Sequence, residues 1–479
     1  MQKVIKNSPT FFEAIFPIIF LIVLLSINVA VFGDASLDGS NQIVLMVASA
    51  VASLIALRLG FSWDELQTGI VNSISSALPS LIILLLVGAL AGSWMLSGIV
   101  PAMIYYGIKL LNPEIFLIAS CIICIIVSLA TGSSWTTSAT IGVALIGIGK
   151  ALGVSEGLIA GSILSGAYFG DKMSPLSDTT NLAPAVAGAD LFSHIRYLSY
   201  TTFPSITICL VLFLFFGLNN TNSFDVSNSV SISNSISEKF YISPVLFLAP
   251  LFVIFLIYKK TKAIPSLFFG VVLGVIFSLI FQPDLVREVS KSVDQTWVSL
   301  FIGTMKSLYG TISISTSNDM VNDLLISRGM FGMLSTIWLI FAAMIFGGVM
   351  ETSGFLRKIV NTILNSAKST GSLVTSTAGT CIFFNLTASD QYLSIVVPGR
   401  MFSDIYKKKK LHPVNLSRTL EDSGTVTSVL IPWNTCGAYH STVLNVSTIT
   451  YFPYCFFSFI SPLMTILFAY LRIKIKKLK

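Results

Sequence analysis

The sequence predicts an all-α, polytopic membrane protein made of two inverted-topology repeats, with re-entrant hairpins and broken helices. Three observations lead there. Hydrophobic residues make up 54% of the 479 and charged residues only 11%, and mean hydropathy is +0.83. Soluble domains carry roughly 25% charged residues. Apolar runs close to spanning length recur along the chain. Twice, about half a chain apart, such a run is broken by polar residues, at 170–182 and at 420–435.

The spans follow in order. Runs at Phe12–Phe32, Gln42–Leu57, Leu81–Leu96, Ile115–Ala130, Ser199–Leu218, Pro244–Tyr258, Ile264–Phe281, Phe331–Met350 and Phe452–Leu471 predict roughly ten spans plus broken segments. Lys3 and Lys6 before the first run read as the flank of a retained span. The run is too long for a signal-peptide core, and no small-x-small cleavage site follows. The +7 net charge is gathered at segment ends: Lys3/Lys6, Lys259–Lys262, Lys407–Lys410 and Arg472–Lys477. That placement fits the positive-inside rule, not nucleic-acid binding, and puts both termini in the cytoplasm. Asp34 and Asp38 then face outward. The Ser/Asn-rich stretch Asn219–Ser237 reads as a flexible external loop. The division is 1–218, a loop at 219–240, and 241–479.

The two halves share a pattern. Ser97-Gly98 resembles Ser353-Gly354 at an offset of 256, the break 131–137 resembles 385–391 at 254, and Gly170 resembles Gly424 at 254. Half one opens with a span leaving a basic end, and half two with a span entering one, so the repeats are predicted to be inverted.

The breaks carry the chemistry. Asp171, Lys172 and Asp178 would each cost about 2.5–3.5 kcal/mol at a lipid-facing helix centre. Pro175 removes a backbone donor. Non-helical backbone at membrane depth survives only inside protein or beside water, so these segments are expected to line a site. Ser133, Ser134, Thr136, Thr137, Ser177, Asp178, Thr179 and Asn181 in half one, and Asn385, Thr387, Ser389, Asp390, Asn434 and Thr435 in half two, supply the oxygens a hard cation prefers. Asp178, Thr179, Ser133 and Thr137 are the expected Na⁺ ligands. Asp178 and Asp390, then Asp171 and Asp422, are the carboxylates where H⁺ and Na⁺ would compete. Each has a structural alternative: an ion pair with Lys172 or a loop end for Asp171, a helix cap for Asp178 or Asp390, and a loop end after Arg418 for Asp422. Cys121 and Cys124 lie within an apolar run with no second pair, which favours small-residue packing over metal binding. No resident cofactor is expected, and three scattered His argue against a metal cluster or an enzyme.

The motifs Gly132–Thr140, Gly166–Asn181 and Leu430–Gly437 resemble those of NhaC-type Na⁺/H⁺ antiporters, over nearly the whole chain. The resemblance implies Na⁺ and H⁺ as transported ions, a superfamily with inverted repeats, elevator-type motion in many members, and a homodimer. The expected function is a cytoplasmic-membrane antiporter that exports Na⁺ in exchange for H⁺. The alternative is a Na⁺-coupled exchanger of malate, lactate or an amino acid, since family relatives exchange such solutes. A polytopic enzyme and a channel are the remaining rivals.

Overall fold

The computed structural model describes residues 8–32, 39–219, 226–259, 261–292, 297–316, 318–364 and 369–478. Lys3, Lys6, Asp34, Asp38 and Lys260, used above for orientation, lie outside them. Among the described residues, seven helices are long and apolar enough to cross a bilayer, or nine if two bent pairs each make one span. The protein is a multi-pass membrane protein of helical architecture.

The first half opens with α1 (Phe11–Phe32) and α2 (Ser40–Arg58). The Asn28 amide links them by donating to Asn41 Oδ1 at 2.7 Å. α3 (Trp63–Leu96) runs for 34 residues, so the expected Leu81–Leu96 span is only its second part. Polar Thr68, Asn72, Ser73 and Ser76 hid the first part. Its start was marked nonetheless, by Ser62 and Glu65 capping each other's amides. α4 (Ile99–Leu110) leads to α5 (Pro113–Thr131), which stops at Gly132 and restarts as α6 (Ser134–Thr137), a π-helical turn and α7 (Val143–Ala151). α8 (Glu156–Met173) and α9 (Asp178–Ala187) are one helix broken at 174–177, and α10 (Leu191–Asn219) closes the half.

The expected external loop is where the structure differs most. Residues Val226–Lys239 form α11. Its Ile232 and Ile236, with Phe240 just beyond it, recur every fourth position and are all buried. That helical stripe was masked by the Ser/Asn composition around it. α12 (Leu248–Tyr258), α13 (Ala263–Phe281), α14 (Pro283–Ser290) and α15 (Trp297–Tyr309) follow. An unanticipated two-stranded antiparallel ribbon, β1 (Ile312–Ser313) with β2 (Ile326–Ser327), brackets α16 (Asp319–Leu324). Then come α17 (Leu334–Thr352), α18 (Phe355–Leu364), α19 (Thr370–Thr387) and α20 (Gln391–Lys408). α21 (Pro413–Leu420) runs into a π-helical turn at Glu421–Thr425. The chain unwinds at 431–434 and restarts as α22 (Thr435–Leu444), α23 (Thr448–Tyr451) and α24 (Phe456–Tyr470).

Small residues set how closely these helices meet. α5 and α8 pack face to face because a Cβ at Gly166 would stand 2.2 Å from the Cys121 carbonyl oxygen. Cys121 and Cys124 are buried in that seam as small hydrophobes. α3 packs against α13, α15 and α17. α9, α20, α21 and the Glu421–Thr425 turn pack together across the two halves.

The backbone repeats itself at a single offset. Ser133 caps α6 and Asp390 caps α20 (390 − 133 = 257). The same spacing relates the left-handed Gly132 and Ser389, the caps Ser177 of α9 and Asn434 of α22, and the left-handed C-caps Gly188 and Asn445. This register corrects the expected one. At 257 rather than 254–256, Asn434 stands opposite Ser177, and Asp178 corresponds to Thr435.

Candidate ion-binding site

The breaks gather polar atoms in two assemblies. The first is built on Asp171, two residues before the end of α8. Its Oδ2 accepts from the Ser134 amide at 2.9 Å and the Ser134 hydroxyl at 2.6 Å, so it meets the amino end of α6. Its Oδ1 accepts from Ser177 Oγ at 2.5 Å. Ser177 Oγ lies 3.1 Å from Thr179 Oγ1, which donates to Glu421 Oε1 at 3.1 Å. A chain of hydroxyls therefore joins a carboxylate of the first half to one of the second. Among the described residues, Glu421 Oε2 and the hydroxyls of Ser423 and Thr425 are buried and meet no hydrogen-bond partner at ordinary geometry.

Beside this chain, Lys172 Nζ pairs with Asp422 Oδ1 and donates to Ser461 Oγ at 2.7 Å. Asp422 Oδ2 accepts from Thr201 Oγ1 at 2.8 Å. Both charged side chains are fully buried.

The second assembly is made of amides. Asn385 Nδ2 donates to the Gly424 carbonyl at 2.7 Å and to Thr427 Oγ1 at 3.0 Å. Asn434 Nδ2 donates back to the Asn385 carbonyl at 3.0 Å. The Thr435 amide donates to the Ser389 carbonyl at 2.9 Å. The two polar tips meet across α22: Trp135 stacks on Tyr439 with centroids 4.0 Å apart, and Tyr439 Oη donates to the Trp135 carbonyl at 2.9 Å.

The expected residues divide accordingly. Ser134, Ser177 and Thr179 meet Asp171 or Glu421; Asn385, Ser389, Asn434 and Thr435 form the amide assembly. Ser133 caps α6 through the Thr136 amide, and Thr137 Oγ1 donates to the Ser133 carbonyl at 2.9 Å. Thr387 Oγ1 donates within its own helix to Phe383, at 2.8 Å. Asp390 is buried and accepts from the Leu393 amide at 2.9 Å, so it caps α20. Asp178 is exposed at the start of α9, and Asn181 ties the break shut through the Pro175 and Ser177 carbonyls. The carboxylate that meets the hydroxyls is therefore Asp171, not Asp178. Asp178 looked better because it lies among Ser and Thr, but as the first residue of α9 it is exposed and not gathered with them. Asp422 is held by Lys172. Glu421 was passed over for its neighbour, and only the π-helical turn decides which of the two faces Thr179.

Among the described residues, the buried charged side chains are Asp171, Asp390, Glu421 and Asp422 against Lys172 and Arg418. Four carboxylates face two cations. A separate polar cavity of about 470 Å³ lies between α3, α4, α7, α17 and α22, lined in part by Lys150, Asp323, Arg328, Ser441, Thr442 and Asn445.

Comparison with known proteins gives the family. The Na⁺/H⁺ antiporter family profile matches residues 166–473. The chain is 36% identical to the Na⁺/H⁺ antiporter NhaC of Alkalihalophilus pseudofirmus, over 96% of each chain. It is 36% identical to the malate-2H⁺/Na⁺-lactate antiporter of Bacillus subtilis, over 96% of this chain and 95% of that one. It is 34% identical to the arginine/ornithine antiporter ArcD of Halobacterium salinarum, over 97% of this chain and 93% of that one. Profile and identity together show that the chain belongs to the Na⁺/H⁺ antiporter family.

Proposed function

We propose that the protein exports Na⁺ from the cytoplasm in exchange for H⁺, with both ions competing for the buried carboxylates near the bilayer midplane. The excess of buried carboxylates over buried cations carries this reading. An uncompensated carboxylate in a low-dielectric interior is unstable unless it takes up a proton or a metal cation. Among the described residues, only Asp422 of the four buried carboxylates pairs with a buried base, Lys172, and a site that must hold either Na⁺ or H⁺ is the minimum of an antiporter. Asp171 and Glu421 are the exchanging pair, linked through Ser177 and Thr179, with Ser134 on the other oxygen of Asp171; these hydroxyl oxygens suit Na⁺. Asp422 is committed to Lys172 and Asp390 to the amino end of α20.

On this reading the two halves are inverted and the termini cytoplasmic. Alternating access moves the broken helices against the remaining spans. The test is a proteoliposome with an imposed pH gradient. Added Na⁺ collapses the gradient if the reading holds, and leaves it untouched if it fails.

The 470 Å³ cavity supports a second reading, Na⁺-coupled exchange of a small carboxylate or amino acid, because it has room and charges of both signs. Uptake of radiolabelled malate, lactate, arginine and ornithine, with and without a Na⁺ gradient, separates the two.

A further inference from the structure

Behind the second polar tip lies an apolar groove of about 740 Å³. Ile22 of α1 forms one side, Ile382 and Leu386 of α19 the back, Trp433 of the unwound segment one end, and Ile449 and Leu463 of α23 and α24 the other side. It opens onto the apolar exterior: Ile22 is 47% exposed, Ile449 54% and Leu463 64%. The helix on its near side, α1, is an apolar span. The surroundings of such an opening in a multi-pass membrane protein are lipid tails. Its back wall belongs to the site described above. The Trp433 indole donates to the Leu386 carbonyl at 2.8 Å, and Thr427, which also lines the groove, accepts from Asn385.

We propose that this groove is a binding site for a single hydrocarbon tail of a membrane phospholipid, wedged between α1 and the back of the 385–390 tip. The lining offers only scattered hydroxyls and no charged side chain, so an acyl chain fits it and a headgroup does not. Van der Waals contact with a flexible chain fills irregular apolar space that water enters at a cost. The occupant supports the tip from behind.

Trp433 is a built-in reporter. The full-length protein is reconstituted into vesicles of dioleoyl phosphatidylcholine or of its dibromostearoyl counterpart, whose brominated tails quench indole fluorescence on contact. The Trp433 signal is the difference between wild type and Trp433→Phe. We expect it to lose most of its intensity in the brominated vesicles. Ile449→Phe and Leu463→Phe, at exposed positions where folding tolerates a larger ring, each fill part of the groove and restore part of that intensity. Unquenched Trp433 overturns the proposal. So does quenching that both filling variants leave unchanged, because the indole then meets lipid from outside the groove. Na⁺/H⁺ exchange is measured in the same vesicles. Its absence counts against the transport reading and leaves the quenching result standing.

Discussion

Lys172 and Asp422, 250 positions apart, form an ion pair between fully buried side chains, and it fastens the broken helix of the first half to the π-helical turn of the second. Removing one partner leaves the other charge buried and alone, which costs about 3–5 kcal/mol. We expect Asp422→Asn and Lys172→Met each to lower the thermal midpoint of the purified protein sharply. The double variant should be nearer wild type than either, because it leaves no orphan charge. Equal and additive losses in differential scanning fluorimetry would show that the pair contributes no coupling.

The hydroxyl chain between Asp171 and Glu421 makes a separate prediction about transport. Glu421→Gln keeps the side chain's size and its contact with Thr179 but removes the charge for which Na⁺ and H⁺ are proposed to compete. We expect Na⁺-driven collapse of a pH gradient to slow by roughly tenfold or more, the effect of about 1.4 kcal/mol. Asp171→Asn should do the same. Asp178→Asn, at an exposed helix start, should change the rate far less. If Asp178→Asn is as damaging as Asp171→Asn, the assignment of the exchanging pair is wrong.

The contrast between Asp171 and Asp178 marks how far the sequence was legible. Composition and hydropathy gave the class of architecture, and the polar breaks located the non-helical segments, because both are properties of runs of residues. Asp171 and Asp178 share one motif, and only the angle at which α8 stops and α9 starts decides which carboxylate turns inward. That angle depends on Asn181 binding the Pro175 and Ser177 carbonyls, a tertiary detail. Glu421 and Asp422 were likewise indistinguishable until the π-helical turn was known. The helix at Val226–Lys239 was missed for a different reason: its Ile232 and Ile236 stripe was present but diluted by Ser and Asn.

The two tips differ in how they make the same left-handed turn. Gly132 has φ of 68° and Ser389 has φ of 58°. A Cβ at Gly132 would lie 2.7 Å from the Leu176 backbone, in addition to the roughly 1–2 kcal/mol that a side chain costs in this conformation. Gly132→Ala should therefore destabilise the protein and push the first tip off the α8–α9 break, with loss of exchange. Ser389→Gly relieves the conformational cost at the expense of chain entropy, and should change stability by less than about 1 kcal/mol. Thermal midpoints of the two variants, measured side by side, decide this; a tolerated Gly132→Ala would remove the claim of a tightly packed tip.

The end of the chain carries a pH-dependent clasp. The His412 amide donates to the Lys476 carbonyl at 3.0 Å, Asn415 Nδ2 to the same carbonyl at 2.6 Å, and the Leu478 amide to the Lys410 carbonyl at 2.9 Å. His412 Nδ1 accepts from the Val414 amide at 3.3 Å and so caps α21 in its neutral form. Partial burial, and then the nearby Lys476 ammonium, hold this imidazole below its ordinary value. A histidine whose pKa is lower in the folded state contributes stability above its unfolded value of about 6.5 and loses it as pH falls below that value. Protonation also removes the acceptor that caps α21. Hydrogen exchange at the amides of His412 and Leu478, corrected for intrinsic rates, should therefore quicken between pH 7.5 and 5.5 (about one unit either side of 6.5). His412→Asn supplies a capping oxygen that does not titrate, and its exchange should stay flat over the same range. If both proteins respond alike, the titrating group lies elsewhere and His412 is only a cap.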